Sequence, residues 1–293
     1  MRWADNFIAV DWGTTNRRAY RLGPAGRLED RMEDDRGILA IPAGGFPAAV
    51  ERIRERLGDL PLLMAGMIGS NRGWHEAPYA PAPAGLEELA ERLIWAEPGR
   101  AAIVPGISFE SDKAADVMRG EEVQILGAAA DGLIARDGRV CHPGTHNKWI
   151  ALENGRIAAF HTVMTGEMFS LLKEHSILAD LLGGPIEPGP AFEAGVRHGH
   201  GRDDLTAELF SVRARVLLGK ARREDAAPYA SGLLIGYDLK TGLGGTKDVA
   251  VIGRPDLTRL FAAAIRICGA EAREIDGEAA FLAGAQHLAE LMR

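Results

Sequence analysis

The sequence predicts an α/β protein in two halves, each organised around a β-hairpin with a glycine–threonine turn. Short apolar or alternating runs are interleaved with segments of helical spacing along all 293 residues, the pattern of layered strands and helices. A Gly-Thr pair follows a strand-like run at 13–14 and again at 144–145. A hydrophobic content of 46% beside 26% charged residues is that of a folded globular chain, long enough for two modest domains or one large one.

Taken in order, 7–12, 18–22 and the charged stretch 27–36 read as a β-meander, with Gly13 and Pro24-Ala25-Gly26 at its turns. A helix follows at 47–57, opening on a proline as helices tolerate. Residues 62–65 read as a buried strand. Residues 66–83 are rich in glycine, proline and aromatics without either period, and a loop that long inside a compact domain is usually functional. The spacing predicts a helix over 86–96 and a strand over 101–104 ending at Pro105-Gly106, where the second half begins. This reading divides the chain into an N-terminal domain over 1–106 and a C-terminal domain over 107–293. In the second, 121–134 has helical spacing, 139–141 and 148–152 flank the second turn, and 156–163 completes a hairpin. Helices over 166–182, 192–196, 205–217 and 226–237 precede a strand at 249–252, a helix at 257–267, a strand at 272–275 and a helix at 278–292.

The net charge of -7 argues against a sequence-independent grip on nucleic acid, which needs concentrated positive charge. No stretch reaches the ~18–20 apolar residues of a membrane span. Residues 1–6 lead straight into the first apolar run without the core of an export signal, so a cytoplasmic protein is expected. Cys141 and Cys268 show no metal-ligand spacing, and reduced thiols are expected.

Four motifs carry chemistry. In Asp11-Trp12-Gly13-Thr14-Thr15-Asn16-Arg17-Arg18 an acid closes a strand and small hydroxylated residues make the turn. Gly13 permits close backbone approach, and turn N–H groups with the Thr14 and Thr15 hydroxyls can donate to phosphate oxygens. Asp11 is suited to Mg²⁺ held through water. The same residues also describe an ordinary hairpin turn. The second motif, Gly144-Thr145-His146-Asn147-Lys148, is another turn between strands, and a pair of such hairpins can clamp one polyphosphate. Pro143 and Gly144 interrupt any helix that would align His142 with His146 as metal ligands. In Arg119-Gly120-Glu121-Glu122, Glu121 opens a predicted helix, where free N–H groups favour a carboxylate. Phosphoryl transfer needs such a group to accept the proton of the attacking hydroxyl, with Glu122 and Asp116 as alternatives. The loop motif from Met64 to Tyr79 offers Arg72 for a bidentate carboxylate contact and Ser70 and Asn71 for hydroxyls, with Trp74 beside them. It reads equally as a loop packed by Trp74 and Tyr79. Gly253, ending the strand at 249–252 before a helix, could pack against adenine.

There is no Walker-type GxxxxGKS/T, no HRD or DFG, and no GxGxxG opening a βαβ unit. Gly242-Leu243-Gly244-Gly245-Thr246-Lys247 fits none of these spacings and reads as a flexible turn.

The ordered set DWGTTNRRAY (11–20), AGMIGSNRGWHEAPY (65–79), VPGI (104–107), DVMRGEEVQILGA (116–128), HPGTHNKWI (142–150), FHTVMTGEMFSLL (160–172) and DGEAAFLAG (276–284) resembles the 2-dehydro-3-deoxygalactonokinase family over essentially the whole chain. That family is placed with the acetate and sugar kinases, heat-shock ATPases and actin. The resemblance implies two ribonuclease H-like domains of the actin/hexokinase type with an interdomain ATP cleft. It implies Mg²⁺-dependent phosphorylation of the 6-hydroxyl of 2-dehydro-3-deoxy-D-galactonate by ATP in galactonate catabolism. By similarity to glycerol- and xylulose-kinase relatives, Gly120-Glu121 stands where those have Gly-Asp bearing the catalytic base. Gly144-Thr145-His146 likewise stands for their Gly-Thr-Gly turn, and Arg18 for the arginine after their first phosphate turn. Asp11 and Glu121 are then the catalytic and metal-binding carboxylates. Gly13, Thr14, Thr15, Asn16, Arg18, Gly144, Thr145, His146 and Gly253 become the nucleotide set, and Ser70, Asn71, Arg72 and Trp74 the substrate set. A kinase of the epimeric 2-dehydro-3-deoxygluconate, a substrate-independent ATPase and a sugar-sensing regulator stay open as alternatives, and the oligomeric state is unassigned.

Overall fold

In the computed structural model, which describes residues 3–292, contacts divide the chain into two compact units that interleave along the sequence. Met1 and Arg2, at the head of the stretch 1–6 read above, lie outside the described residues.

The first unit runs to Asp137 and adds Ala151–Phe160 and the segment from Gly277 onward. Its strands are β1 (Phe7–Trp12), β2 (Arg17–Leu22), β3 (Leu28–Asp34), β4 (Leu62–Gly66), β5 (Ala80–Pro81), β6 (Ile94–Glu97), β7 (Ala101–Ile103), β8 (Ile107–Ser111) and β9 (Ala114–Met118). Six of them form one sheet in the order β3-β2-β1-β4-β7-β6, and β5-β8-β9 form a small second one. β1 runs antiparallel to β2, pairing Asp11 with Arg18, and parallel to β4, pairing Asp11 with Ala65. Every β1 residue except Asp11 is buried, as an apolar run in a central strand requires. The helix α1 (Phe46–Leu57) sets Val50, Ile53 and Leu57 into the core, worth about 1.5–3 kcal/mol for each side chain removed from water. α2 (Leu86–Ala90) and α3 (Glu121–Ala130) complete this part of the unit.

The second unit spans Gly138–Ile150 and His161–Asp276. The five-stranded sheet has the order β12-β11-β10-β13-β14, from β10 (Gly138–His142), β11 (Asn147–Glu153), β12 (Arg156–Val163), β13 (Asp248–Gly253) and β14 (Glu271–Asp276), with Ala151–Phe160 of β11 and β12 counted to the first unit. β10, β13 and β14 are parallel. The helices are α4 (Thr165–His175), α5 (Pro190–His200), α6 (Leu205–Leu217), α7 (Ala226–Gly242) and α8 (Pro255–Ile267), and α9 (Gly277–Leu291) belongs to the first unit. No helix among the described residues is long and apolar enough to cross a membrane.

Three local readings change. The helix expected over 86–96 ends at Ala90, and its second half is β6, antiparallel to β7. Ile94 and Trp95 suit a strand, and the intervening Pro98-Gly99 supplies the hairpin turn. Residues 107–118, given no element above, form the β8–β9 hairpin. The helix expected over 166–182 stops at His175, with a 3-10 turn at Ala179–Leu181.

Candidate active site

In the first unit, the turn between β1 and β2 is held by its own carbonyls. Gly37 N–H donates to Thr15 O (2.8 Å), Ile38 N–H to Gly13 O (3.0 Å) and Leu39 N–H to Thr14 O (3.3 Å). Gly13 N–H closes the turn on Asn16 O at 2.9 Å. Gly37 makes this approach possible, since a Cβ there would lie 2.3 Å from Thr14 O. With its carbonyls tied back, the turn presents donors outward, and Thr14, Thr15 and Asn16 are exposed. That is the arrangement an anion binds.

Strand alternation separates the two arginines. Arg17 is 2% exposed, bonds Asp34 through Nη2 at 2.5 Å and lies 4.9 Å from the Trp12 ring centroid. It belongs to the core. Arg18 faces the other way, its Nε 3.0 Å from Glu33 Oε1 and Nη1 4.0 Å from Asp11 Oδ2. Burial raises the Asp11 pKa to about 6; Arg18 opposes this, while Glu121 and Glu33 add to it. Asp11 and Glu121 therefore share one electrostatic site although 110 residues separate them in sequence.

Two glycines allow that meeting. Gly120 has φ 110° and ψ -43°, a left-handed conformation that a side chain disfavours. A Cβ on it would lie 3.2 Å from Gly66 Cα. Gly66, at φ 93°, ends β4 beside Trp12, with Trp12 O only 2.8 Å from where its own Cβ would be. The start of α3 is thereby seated against the ends of β1 and β4. Replacing Gly120 with Ala is expected to cost about 1–3 kcal/mol of stability and at least tenfold in turnover, since a misplacement of about 1 Å is worth up to ~10². Denaturant melts and initial rates on the same preparation check both.

The two glutamates at this helix start differ. Glu121 is half-buried, and its Oε2 accepts the Arg119 N–H at 3.1 Å. Glu122 is fully buried, with Oε2 turned back to the Gly120 N–H at 2.7 Å and Oε1 unpartnered. Burial raises the Glu122 pKa to about 8, with Glu121 adding to the shift and the Gly120 bond and Arg119 opposing it. Asp116 lies on β9, its Oδ1 accepting the Val117 N–H. Because Glu122 holds its proton in the folded state to a higher pH than in the unfolded chain, it contributes a fall in stability as pH rises from about 4.5 to about 8. Glu122→Gln cannot ionise and should lose that decline, read as urea midpoints of both proteins at pH 5 and pH 8.

The expected substrate loop divides by role. Ser70 is buried; its hydroxyl donates to Met67 O at 2.7 Å and accepts the Arg72 N–H at 3.3 Å, so it is engaged in shaping the loop. Trp74 packs on the core and stacks on His75 with centroids 5.6 Å apart. Asn71 and Arg72 are exposed, and no side-chain partner of either is found among the described residues.

In the second unit, the turn from Gly144 to His146 is seated on the start of α4. Glu167 N–H donates to Thr145 O at 2.9 Å, and His146 Nε2 lies 2.5 Å from Glu167 Oε2. Gly166 is required at this contact, because a Cβ there would come within 2.4 Å of Gly144 O. Beneath the turn, the buried Asp238 accepts from Asn147 Nδ2 (2.8 Å), Trp149 Nε1 (2.6 Å) and Thr165 Oγ1 (2.5 Å). Burial raises the Asp238 pKa, and these three bonds oppose the shift. A cavity of about 260 Å³ is lined by Gly144 and Thr145 together with apolar side chains that include Phe169, Leu257 and Phe261. Gly253 is buried and does not line it, whereas the neighbouring Arg254 does. Gly37 and Asp238 escaped the sequence reading, since neither sits in a repeated or spaced pattern, and Gly166 and Arg254, though inside or beside stretches read above, were given no role.

The chain matches, over residues 11–288, the family described as 2-keto-3-deoxy-galactonokinase. It is 35% identical over 297 residues to 2-dehydro-3-deoxygalactonokinase of Escherichia coli K12, covering 97% of each chain. A crystal structure from Sinorhizobium meliloti, described provisionally as a 2-dehydro-3-deoxygalactonokinase protein, superposes with a TM-score of 0.90 at 33% identity. That match covers 97% of this chain and 98% of the other. The fold alone is shared with (R)-2-hydroxyglutaryl-CoA dehydratase component A of Acidaminococcus fermentans, at 14% identity and a TM-score of 0.52 over 99% and 100% of the two chains. The α/β, ribonuclease H-like class expected from the sequence holds. On the family match and the full-length identity, the chain belongs to the 2-keto-3-deoxy-galactonokinase family.

Proposed function

We propose that the chain transfers the γ-phosphoryl group of ATP to the 6-hydroxyl of 2-dehydro-3-deoxy-D-galactonate, giving the 6-phosphate and ADP in galactonate catabolism. The observation that carries this reading is the shared Asp11–Glu121 site behind a donor-presenting turn, in a chain matching the kinase family over nearly its full length. Glu121 accepts the proton of the substrate hydroxyl as that oxygen bonds to the γ-phosphorus. The bond from phosphorus to the bridging oxygen breaks, and its electron pair leaves with ADP. Glu121 suits this role better than the alternatives: Glu122 is sealed and bonded to its own helix start, and Asp116 lies on a different element.

Thr14, Thr15, Asn16 and Arg18 donate to phosphate oxygens, and Gly144, Thr145 and His146 are the second set of phosphate donors. The apolar side chains of the 260 Å³ cavity, Phe169, Leu257 and Phe261, take the adenine, with Gly253 next in sequence to the lining Arg254. Asn71 and Arg72 reach the hydroxyls and the acid group, while Ser70 and Trp74 hold the loop that presents them.

The donor set fits Mg²⁺. Asp11 is a partly buried carboxylate with its pKa raised to about 6 and Glu121 in its field, a combination that a divalent cation relieves. The described residues contain no cluster of three or more His, Cys, Asp or Glu able to hold a metal, and Mg²⁺ is commonly held by one or two carboxylates together with water and substrate phosphates. When bound, Mg²⁺ neutralises charge on the phosphates. Asp11, with Glu121 as second contact, would hold it.

The product tests the proposal. Phosphorus NMR of the reaction with 2-dehydro-3-deoxygalactonate and ATP should show one new ester at the terminal carbon. Phosphate on another hydroxyl, or only inorganic phosphate, would contradict it.

A further inference from the structure

Arg119 immediately precedes the Gly120-Glu121 helix start, yet its side chain runs to the loop at 66–79. Its Nη2 donates to Ala77 O at 2.7 Å, and its guanidinium carbon lies 4.3 Å from the Tyr79 ring centroid. The head also fills the space beside Gly69, where a Cβ would stand 2.9 Å from Nη1 and 2.9 Å from Ile103 Cγ2. Ala77 N–H in turn donates to Gly69 O at 2.9 Å, so the arginine grips both ends of one loop closure. On the other side, the Arg119 backbone N–H is the donor to Glu121 Oε2 at 3.1 Å.

The Nε and Nη1 atoms are buried without a hydrogen-bond partner, and none of the ion pairs among the described residues involves Arg119. Burying charged donors unpaired is costly, and an apolar side chain would fill the same gap without that cost. Orphaned donors at this position therefore call for a functional explanation. Because both nitrogens are shielded, the guanidinium acts through the loop rather than by touching a ligand.

We infer that Arg119 is a positioning residue that locks the 66–79 loop to the helix start carrying Glu121, and so sets the affinity for the sugar acid. This rests on the loop being the sugar-acid site of the proposed kinase. Arg119→Ala should raise the sugar-acid KM at least about tenfold while the ATP KM stays within about twofold. Arg119→Lys should fall between, because an ammonium cannot both reach Ala77 O and lie flat on Tyr79. A merely structural arginine would move both KM values together, in step with lost stability.

Amide hydrogen exchange on the substrate-free protein gives a readout that needs no turnover. Faster exchange over 69–80 in Arg119→Lys, with β1 and β4 unchanged, supports the lock. Unchanged exchange, or an unchanged sugar-acid KM, overturns it. A wild-type protein that phosphorylates no sugar acid would sink the functional reading, and exchange alone would then decide whether the lock exists.

Discussion

Glu121→Gln is expected to lower kcat by about 10²–10⁴-fold, the range for loss of a general base, while the protein stays folded. A glutamine can still accept the Arg119 N–H that Glu121 Oε2 takes at 3.1 Å, so the helix start keeps its geometry. The KM values for ATP and sugar acid should change far less than kcat, because the lost interaction belongs to the transition state. Steady-state kinetics with both substrates varied makes the measurement. Turnover near the wild-type value would remove Glu121 from the role and return attention to Asp11.

Asp238→Ala is expected to destabilise the protein by about 3–5 kcal/mol, because it strips the acceptor from three buried donors at once. Asn147 Nδ2, Trp149 Nε1 and Thr165 Oγ1 all end on this carboxylate, which is 1% exposed. Asn147 begins β11 directly after the second turn, and Thr165 begins α4, on which that turn rests. The ATP KM should therefore rise more than the sugar-acid KM. Denaturant melts check the first effect, with a shifted midpoint and unchanged slope. A stability within 1 kcal/mol of wild type would show that the network rearranges without its centre.

Much of this architecture was legible because local chemistry and tertiary role agree. The meander at 7–34 shows its alternation and turn residues, and the strand at 156–163 coincides with β12. The Gly-Thr turns were visible as strand closures, although what fixes them was not. Gly37 and Gly166 act by letting distant backbone approach, a requirement that leaves no periodic signal.

The misses have different causes. Residues 94–97 fit a helix stripe until pairing with β7 decides otherwise, a tertiary choice that overrides spacing. The β8–β9 hairpin did offer a signal, alternation across Ile107-Ser108-Phe109 with Asp112-Lys113 as turn. The grouping of α9 with α3 in one unit depends on contact between Gly127 and Gly284. A Cβ on Gly127 would lie 2.3 Å from Gly284 N. Nothing local in a linear reading ties residue 127 to residue 284. Site chemistry followed the same division: Asp11 and Glu121 were legible as residue types, but their shared electrostatic site required the Gly66–Gly120 contact.

The central claim is tested most directly by coupled ADP release with ATP, Mg²⁺ and a panel of sugar acids that includes both C4 epimers. The account predicts turnover that depends on 2-dehydro-3-deoxygalactonate and is much weaker with 2-dehydro-3-deoxygluconate. ATP hydrolysis at the same rate with every acceptor, or with none, would contradict it.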